Sequence, residues 1–500
     1  MTNPPQRQTV VIGAGLGGLA AALRLRAAGH CVTVIEQSEY AGGKCGFYER
    51  DGFRFDTGPS VLTLPAVLQD LFQACGKDMQ DYLQLEAVEP GCRYFFADGM
   101  RFDAPGTLEG FRQAIAKSFP KELDNFDRFA RYTHKLWDIS GPVFLHNPLA
   151  LRTLARVPWG RLLRGALALA PVTMHRANRH FFKDPRLIQL FDRYATYNGS
   201  DPYRTPATFN VISHVELAFG SWRCVGGMYG LVEALMRLCQ DTGVDVRLRT
   251  AVDRIAFGRS NRLQGLHLRN SGFVPADSVV VNADAVGALT GPLFSEHSKQ
   301  QSWRKRFART EVSGSGFVIL AALQHDRADI AAHNVFFSDD YPREFREQFS
   351  KPGSPLRKPT IYLHRMHGTA QRPAAPAGKE GWFLLLNAPS LDRFSDWQSQ
   401  KAVIADSVFE TLQRQSIGFS SSDVEWHHIR TPDFFQQRLS AWHGSLYGPA
   451  SNHPLSAFFR VKNQLHKGSV AFAGGSAHPG GGIPLVLLSG QHAANSILSG

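Results

Sequence analysis

Three glycines, Gly13, Gly15 and Gly18, followed by a carboxylate at Glu36, have the types and spacing to hold a dinucleotide. The first permits a tight turn, the second lets the backbone approach a pyrophosphate, and the third lets a helix pack close to a sheet. The phosphates then meet the positive end of that helix. Glu36 stands where a carboxylate accepts from a ribose 2′-hydroxyl, and its charge would repel the 2′-phosphate of NADP. A second glycine group lies at the far end of the chain: Gly474-Gly475, Ser476-Ala477-His478-Pro479, then Gly480-Gly481-Gly482-Ile483-Pro484. Consecutive glycines let backbone N–H groups face a ligand with no Cβ in the way. His478 is the one titratable group placed near the chemistry, as an acid/base or cofactor-orienting residue, with a structural cap on the glycine turn as the alternative. Cys31, Cys45, Cys75, Cys92, Cys224 and Cys239 form no Cys-x-x-Cys pair and no cluster at metal spacing, so they read as reduced thiols and no metal site is expected.

The elements that must carry these residues are legible around them. Thr9 to Ile12 is a β-branched run. A helical pattern (Leu19, Leu23, Leu25) follows the glycines and ends near Gly29, and Cys31 to Ile35 reads as a second strand. This is a complete strand–turn–helix–strand unit. At the other end, Val470 to Ala473 is an apolar strand, and Leu485 to Leu498 an apolar helix with Pro484 in its first turn. Such a helix would stabilise negative charge on a ligand placed before its start. The 500 residues suffice for two or three domains, at roughly 100–200 residues each. With 43% hydrophobic and 20% charged residues, neither a disordered nor a polytopic membrane protein is indicated. Met1 to Gln8 is polar without a secretory pattern, and Val10 to Ala28 is cut by glycines, Arg24 and Arg26, so a cytoplasmic protein is expected.

Two further segments bear on the identity of the dinucleotide. Gly42-Gly43-Lys44 and Phe55-Asp56-Thr57-Gly58-Pro59-Ser60 resemble the second and third FAD-contacting segments of the flavin amine oxidase superfamily. The resemblance implies Lys44 beside the pyrophosphate and Gly58-Pro59 near the flavin. The C-terminal run from Gly474 to Pro484 resembles the signature of the bacterial phytoene desaturase family, the carotenoid desaturases and related oxygenases. Tyr194 to Ala207, Gly226 to Leu235 and Val244 to Leu248 agree with it in order, and together they span nearly the whole chain. The family likeness further implies that Val252 contacts adenine and that Val279 to Asp284 re-enters the FAD domain. Ser476 stands where the wider superfamily has an acid for the ribityl chain, an absence shared with the carotenoid branch. The expected FAD set is therefore Gly13, Gly15, Gly18, Glu36, Gly43, Lys44, Gly58, Pro59, Val252, Gly475, Gly482, Ile483 and Pro484.

The implied architecture is α/β: a Rossmann-like FAD-binding domain (1–80, 222–290, 455–500), a mixed-sheet substrate domain (81–109, 205–221, 291–454) and a helical, membrane-associating lid (110–204). The implied reaction is dehydrogenation of a long polyene isoprenoid by hydride transfer to flavin. Alternatives are a carotenoid oxygenase forming a terminal aldehyde, a hydroxycarotenoid 3,4-desaturase, or a non-catalytic prenyl or lipid chaperone like the Rab GDP dissociation inhibitors. The +12 charge is locally concentrated, since Asp138 to Asp184 encloses Arg152, Arg156, Arg161, Arg164, Arg176, Arg179 and Lys183 with no acid between. Leu162, Leu163, Ala166, Leu167 and Ala170 would form one helical face flanked by Arg161 and Arg164, suited either to an anionic membrane surface or to ordinary core packing. Peripheral attachment to the inner face of the membrane is the expectation, because the implied substrate dissolves in bilayers. No interleaved basic and aromatic motif points to nucleic acid, and no oligomer is specified. The 35 phenylalanines suit an aromatic-lined tunnel or simply a core.

Overall fold

The structure, a computed structural model, describes residues 7–141, 172–270, 272–326, 329–350, 356–415, 417–453, 456 and 460–500. The N-terminal β-branched run forms the strand Gln8–Ile12, with Val10, Val11 and Ile12 buried, as a central parallel strand requires. It pairs in parallel with Cys31–Ile35 on one side and Ser278–Val281 on the other. The six-stranded sheet runs Gln464–His466, Val470–Phe472, Ser278–Val281, Gln8–Ile12, Cys31–Ile35, Asp245–Arg247. Only the Gln464–His466 edge is antiparallel. The chain leaves Gln8–Ile12 toward one edge and returns on its other side, so the crevice beyond Ile12 and Val281 is the place where such sheets take ligands.

Three helices pack on this sheet: Leu16–Ala27, Gly230–Thr242 and Ile483–Leu498. Leu16–Ala27 is buried on nearly every side, which explains its almost uniformly apolar sequence. It touches the C-terminal helix closely because Gly490 has no side chain: a Cβ there would lie 2.4 Å from the Gly17 carbonyl oxygen and 2.9 Å from Ala20 Cβ. The first and last helices of the chain are thus held together backbone to backbone.

A seven-stranded sheet is built mainly from the second half of the chain. Its order is Val424–Arg430, Ser315–Leu323, Glu380–Ala388, Ile361–Arg365, His333–Phe336, Cys92–Phe95, Arg101–Ala104. All its pairings are antiparallel except His333–Phe336 with Cys92–Phe95, so it is mixed. Ser315–Leu323 is buried along its whole length, in keeping with its central place. The helices Leu108–Ser118, Leu123–Ser140, Met174–Phe181, Pro185–Asp192 and Val211–Phe219 stand against the Cys92 side of this sheet. Phe102, Phe111, Phe119, Phe126, Phe129, Phe182 and Phe191 pack there on one another and are buried. These aromatics are core, so the abundance of phenylalanine is at least partly a packing feature.

Phe294 and Phe307 pack beneath the first sheet with Val10, Val279 and Phe472, and we propose that the first unit continues to Phe307. The basic apolar segment around Arg161 and Arg164 lies outside the described residues. Among the described residues no helix is long and apolar enough to cross a membrane. The six cysteines carry no disulfide.

Candidate FAD site

Gly13 turns the chain out of the first strand with φ +97°, a conformation that a side chain would strain, and its N–H donates to the Ile35 carbonyl at 2.8 Å. A Cβ on Gly18 would lie 2.1 Å from the Gly13 carbonyl oxygen, so only glycine lets the helix begin here. A Cβ on Gly15 would press on Asn282 Nδ2 at 2.7 Å. Asn282, the residue after strand Ser278–Val281, donates to the Gly13 carbonyl at 3.3 Å and closes the loop from the other side of the crevice. Glu36 is 8% exposed and accepts from Ala14 N–H through Oε2 and from Ser38 N–H through Oε1, both at 2.8 Å. Each oxygen keeps acceptor capacity for a hydroxyl. Thr250 N–H donates to the Glu36 carbonyl and Arg249 N–H to that of Ser38, which brings the segment toward Val252 against Glu36. Val252 packs with the cluster that holds Ile12 and Ile35.

The next two segments are stitched to this loop. Gly42 N–H donates to the Ala14 carbonyl at 2.9 Å, and Gly42 and Gly43 both have positive φ. Thr57 N–H donates to the Gly46 carbonyl, and a Cβ on Gly58 would lie 2.1 Å from the Lys44 carbonyl oxygen. Asp56 accepts from Met228 N–H at 2.6 Å and Tyr229 N–H at 3.0 Å, anchoring the start of Gly230–Thr242. Burial pushes its carboxyl pKa up, and these two N–H groups oppose the shift. Pro59 is partly exposed and leads to Ser60, whose hydroxyl meets the Tyr362 hydroxyl at 2.5 Å.

The C-terminal glycines arrive beside them. Gly474, Gly480 and Gly482 have positive φ. A Cβ on Gly475 would touch Gly481 at 3.4 Å, and one on Gly481 would strike the Tyr447 ring at 2.4 Å, whereas nothing lies within 4 Å of that position on Gly482. Gly482 therefore presents open backbone at the start of the helix, with Ile483 and Pro484 buried behind it. The buried Arg460 guanidinium donates to the carbonyls of Tyr447 at 3.0 Å and Gly475 at 3.1 Å, and burial lowers its pKa to about 10. Lys44 Nζ donates to the Leu446 carbonyl at 2.5 Å. Burial lowers the Lys44 pKa, Asp284 opposes that and Arg460 adds to it. Asp284 caps the helix Ala285–Thr290 through Oδ1, while its buried Oδ2 has no hydrogen-bond partner among the described residues and meets the charges of Lys44 and Arg460 instead. Ser476 Oγ accepts from Ala285 N–H at 2.8 Å.

His478 is 1% exposed; its N–H donates to Val461, its carbonyl accepts from Asn463 Nδ2 at 2.8 Å, and its ring lies 5.7 Å from that of His492 on the C-terminal helix. This is a position behind the glycine turn. Lys44, Tyr197, Tyr362 and Tyr447 each keep some accessible surface. The Tyr447 ring is held between two glycines, since a Cβ on Gly199 would also strike it, at 2.7 Å.

Asn282, Asp56, Asp284, Arg460, Tyr447 and Tyr362 were not singled out as site residues. Asn282 and Asp284 had a signal, a polar pair directly after a buried strand. Arg460 and Tyr447 had none, because only the fold brings them to the glycine turn. Taken together, glycine cradles that a Cβ would fill, an acid beside the first, a lysine beside the second and open backbone at a helix start suit the residues to an adenine dinucleotide. Among the described residues no His, Cys, Asp or Glu cluster could hold a metal.

Residues 16–498 match the flavin containing amine oxidoreductase family, and the chain belongs to it: it is an FAD-dependent oxidoreductase. Within that superfamily it falls in the carotenoid desaturase family. It is 31% identical to 1-hydroxycarotenoid 3,4-desaturase of Flavobacterium sp. (strain P99-3), over 98% of this chain and 99% of that one. It is 32% identical to 4,4'-diapolycopene oxygenase of Methylomonas sp., over 100% and 99%, and 32% identical to hydroxyneurosporene desaturase of Rhodobacter capsulatus, over 99% and 98%. Among solved structures, a putrescine oxidase triple mutant (TM-score 0.65, 15% identity, 99% of each chain) and cyclohexylamine oxidase of Brevibacterium oxydans (0.62, 17%, 99% of each) share the fold.

Proposed function

We propose that this protein oxidises a long acyclic carotenoid, removing two hydrogens from adjacent carbons. The observation that carries the reading is the meeting of the N-terminal and C-terminal glycine cradles beyond the ends of the central parallel strands Gln8–Ile12, Ser278–Val281 and Val470–Phe472. Bound FAD supplies the hydride acceptor. Gly13, Gly15, Gly18 and Gly43 let backbone approach the pyrophosphate, Glu36 and Val252 hold the adenosine end, and Lys44 sets a cation beside the phosphates. Gly58, Pro59, Gly475, Gly482, Ile483 and Pro484 frame the flavin, with the positive end of the last helix toward it. His478 orients the glycine turn from behind, so the released proton passes to another group or to water. The task left to the protein is to position the substrate over the flavin and to exclude bulk water.

The apolar substrate reaches the site from a membrane, and we assign the docking face to the helical unit and to the basic segment around Arg161 and Arg164. Phe219, the last residue of the helix Val211–Phe219, is 38% exposed on that unit. Terminal oxygenation is the second reading, favoured by full-length similarity to proteins named as oxygenases. The chaperone reading is set aside, because the relatives that match over the whole length carry enzyme names. The test is expression in hosts that accumulate C40 or C30 acyclic polyenes, with pigment chromatography. New products with added conjugated double bonds support desaturation, aldehydes support oxygenation, and an unchanged pigment profile with an FAD-loaded protein overturns both.

A further inference from the structure

Asn282-Ala283-Asp284 leaves the strand Ser278–Val281 between the two glycine cradles. Asn282 reaches both: it donates to the Gly13 carbonyl at 3.3 Å, and its Oδ1 lies 3.0 Å from where Gly474 would carry a Cβ. Asp284, two residues on, is 8% exposed and uses only one of its oxygens. Oδ1 accepts from Val286 N–H at 3.1 Å and from Gly287 N–H at 3.0 Å, which caps the helix Ala285–Thr290. Oδ2 is buried and has neither a hydrogen bond nor an ion pair among the described residues.

A helix cap needs neither a charge nor a second oxygen, since Asn or Ser caps as well as Asp. The cap therefore does not account for a buried carboxylate with one oxygen unmet, which is a costly arrangement. The surroundings of Oδ2 place it at the cofactor site. A Cβ on Gly448 would lie 3.7 Å from Oδ2 and 2.8 Å from Ser476 Cβ, so the carboxylate stands beside the C-terminal turn. Its charge is felt by Lys44, next to the second glycine segment, and by Arg460, which holds the Gly475 carbonyl. Neither cation bonds to Oδ2, because they donate instead to the carbonyls of Leu446, Tyr447 and Gly475. An ionised carboxylate only accepts, so the partner it lacks is a donor. The diphosphate of FAD has no donor and would be repelled, whereas the ribityl chain between diphosphate and ring carries hydroxyls.

We propose that Asp284 is a further FAD ligand, whose free carboxylate oxygen accepts from a hydroxyl of the ribityl chain. This rests on the placement of FAD between the two glycine cradles given above and is independent of which substrate is oxidised. It gives Asp284 two tasks on its two oxygens, one holding the helix start and one holding the cofactor. It also makes the site select for a flavin nucleotide, because ADP fits the glycine loop and Glu36 but has no ribityl chain.

The test is titration of the apoprotein with FAD, followed by the change in flavin fluorescence, and with ADP in competition against FAD. Asp284→Asn keeps the capping oxygen and removes the charge. Its FAD dissociation constant rises by about tenfold or more, the scale of a hydrogen bond to a charged group, while its affinity for ADP does not fall. Asp284→Ser, which also caps, carries the test if Asp284→Asn does not fold. FAD affinity within about twofold of wild type in the variant, or FAD and ADP weakened in parallel, overturns the assignment. A wild-type apoprotein that takes up neither FAD nor ADP overturns the placement of the cofactor instead, so the two failures are distinguishable.

Discussion

At Gly18 the requirement on a single residue is geometric, because the space that a methyl group would need is filled by the Gly13 carbonyl oxygen. Gly18→Ala forces the helix away from the loop, and the purified variant is expected to hold less than about a tenth of the wild-type FAD, since a backbone shift misaligns every amide that faces the phosphates. The flavin absorbance per mole of protein measures this, and wild-type loading would contradict it. Asp56 is a different case, in which charge and hydrogen bonding act together. Its two oxygens satisfy the amides of Met228 and Tyr229. Asp56→Asn replaces one acceptor by a donor facing an N–H, so unfolding in urea should show a loss of about 1–3 kcal/mol. Asp56→Ala should cost at least as much.

Among the elements, the contact between Leu16–Ala27 and Ile483–Leu498 transmits the most to the site, because each helix begins at one of the two glycine cradles. Their closeness depends on Gly490 meeting the Gly17 carbonyl and Ala20. Gly490→Leu overpacks that crossing, and the expected outcome is a thermal midpoint several degrees lower together with weaker FAD retention on gel filtration. A variant with a lower midpoint but unchanged FAD affinity would show that the two cradles are not mechanically joined. The helical unit is held differently, by buried aromatic rings such as Phe126, Phe129, Phe182 and Phe191 stacking on one another. Its packing makes it a firm partner for the sheet.

For the molecule as a whole, stability should depend on pH through buried histidines. His297, bonded ring to ring with His466 at 2.9 Å, has its pKa lowered to about 4, first by burial and then by His466. Burial also lowers His367 to about 4 and His333 to about 3. A histidine whose folded pKa lies below its unfolded value of 6.5 stabilises the fold above that pH. That contribution is lost as pH falls from 6.5 toward 4, because the unfolded chain takes up the proton first. The slope is about 1.4 kcal/mol per pH unit for each proton taken up. Thermal midpoints from pH 8 to 4.5 should fall below pH 6.5, and less steeply in His297→Phe; a flat profile would rule the histidines out. FAD added at a hundred times its dissociation constant should raise stability by about 2.7 kcal/mol, read as a higher midpoint of the apoprotein.

The amino-acid sequence by itself determined the first strand–loop–helix–strand unit and the last strand and helix, because their information is local. β-branched runs, glycines at positions that need positive φ or close contact, and a proline at a helix start act through neighbours in the chain. Cys31–Ile35 fell where its pattern placed it, and so did the glycine loop. Tertiary structure alone decided which distant residues complete the site. Asn282 closes the first loop across the sheet, Arg460 ties Tyr447 to the C-terminal turn, and Tyr362 on one sheet meets Ser60 from the other unit. No spacing along the chain encodes these meetings, since they follow from strand order and from how two sheets pack. The same physics turned His478 toward His492, a fact that a motif cannot express.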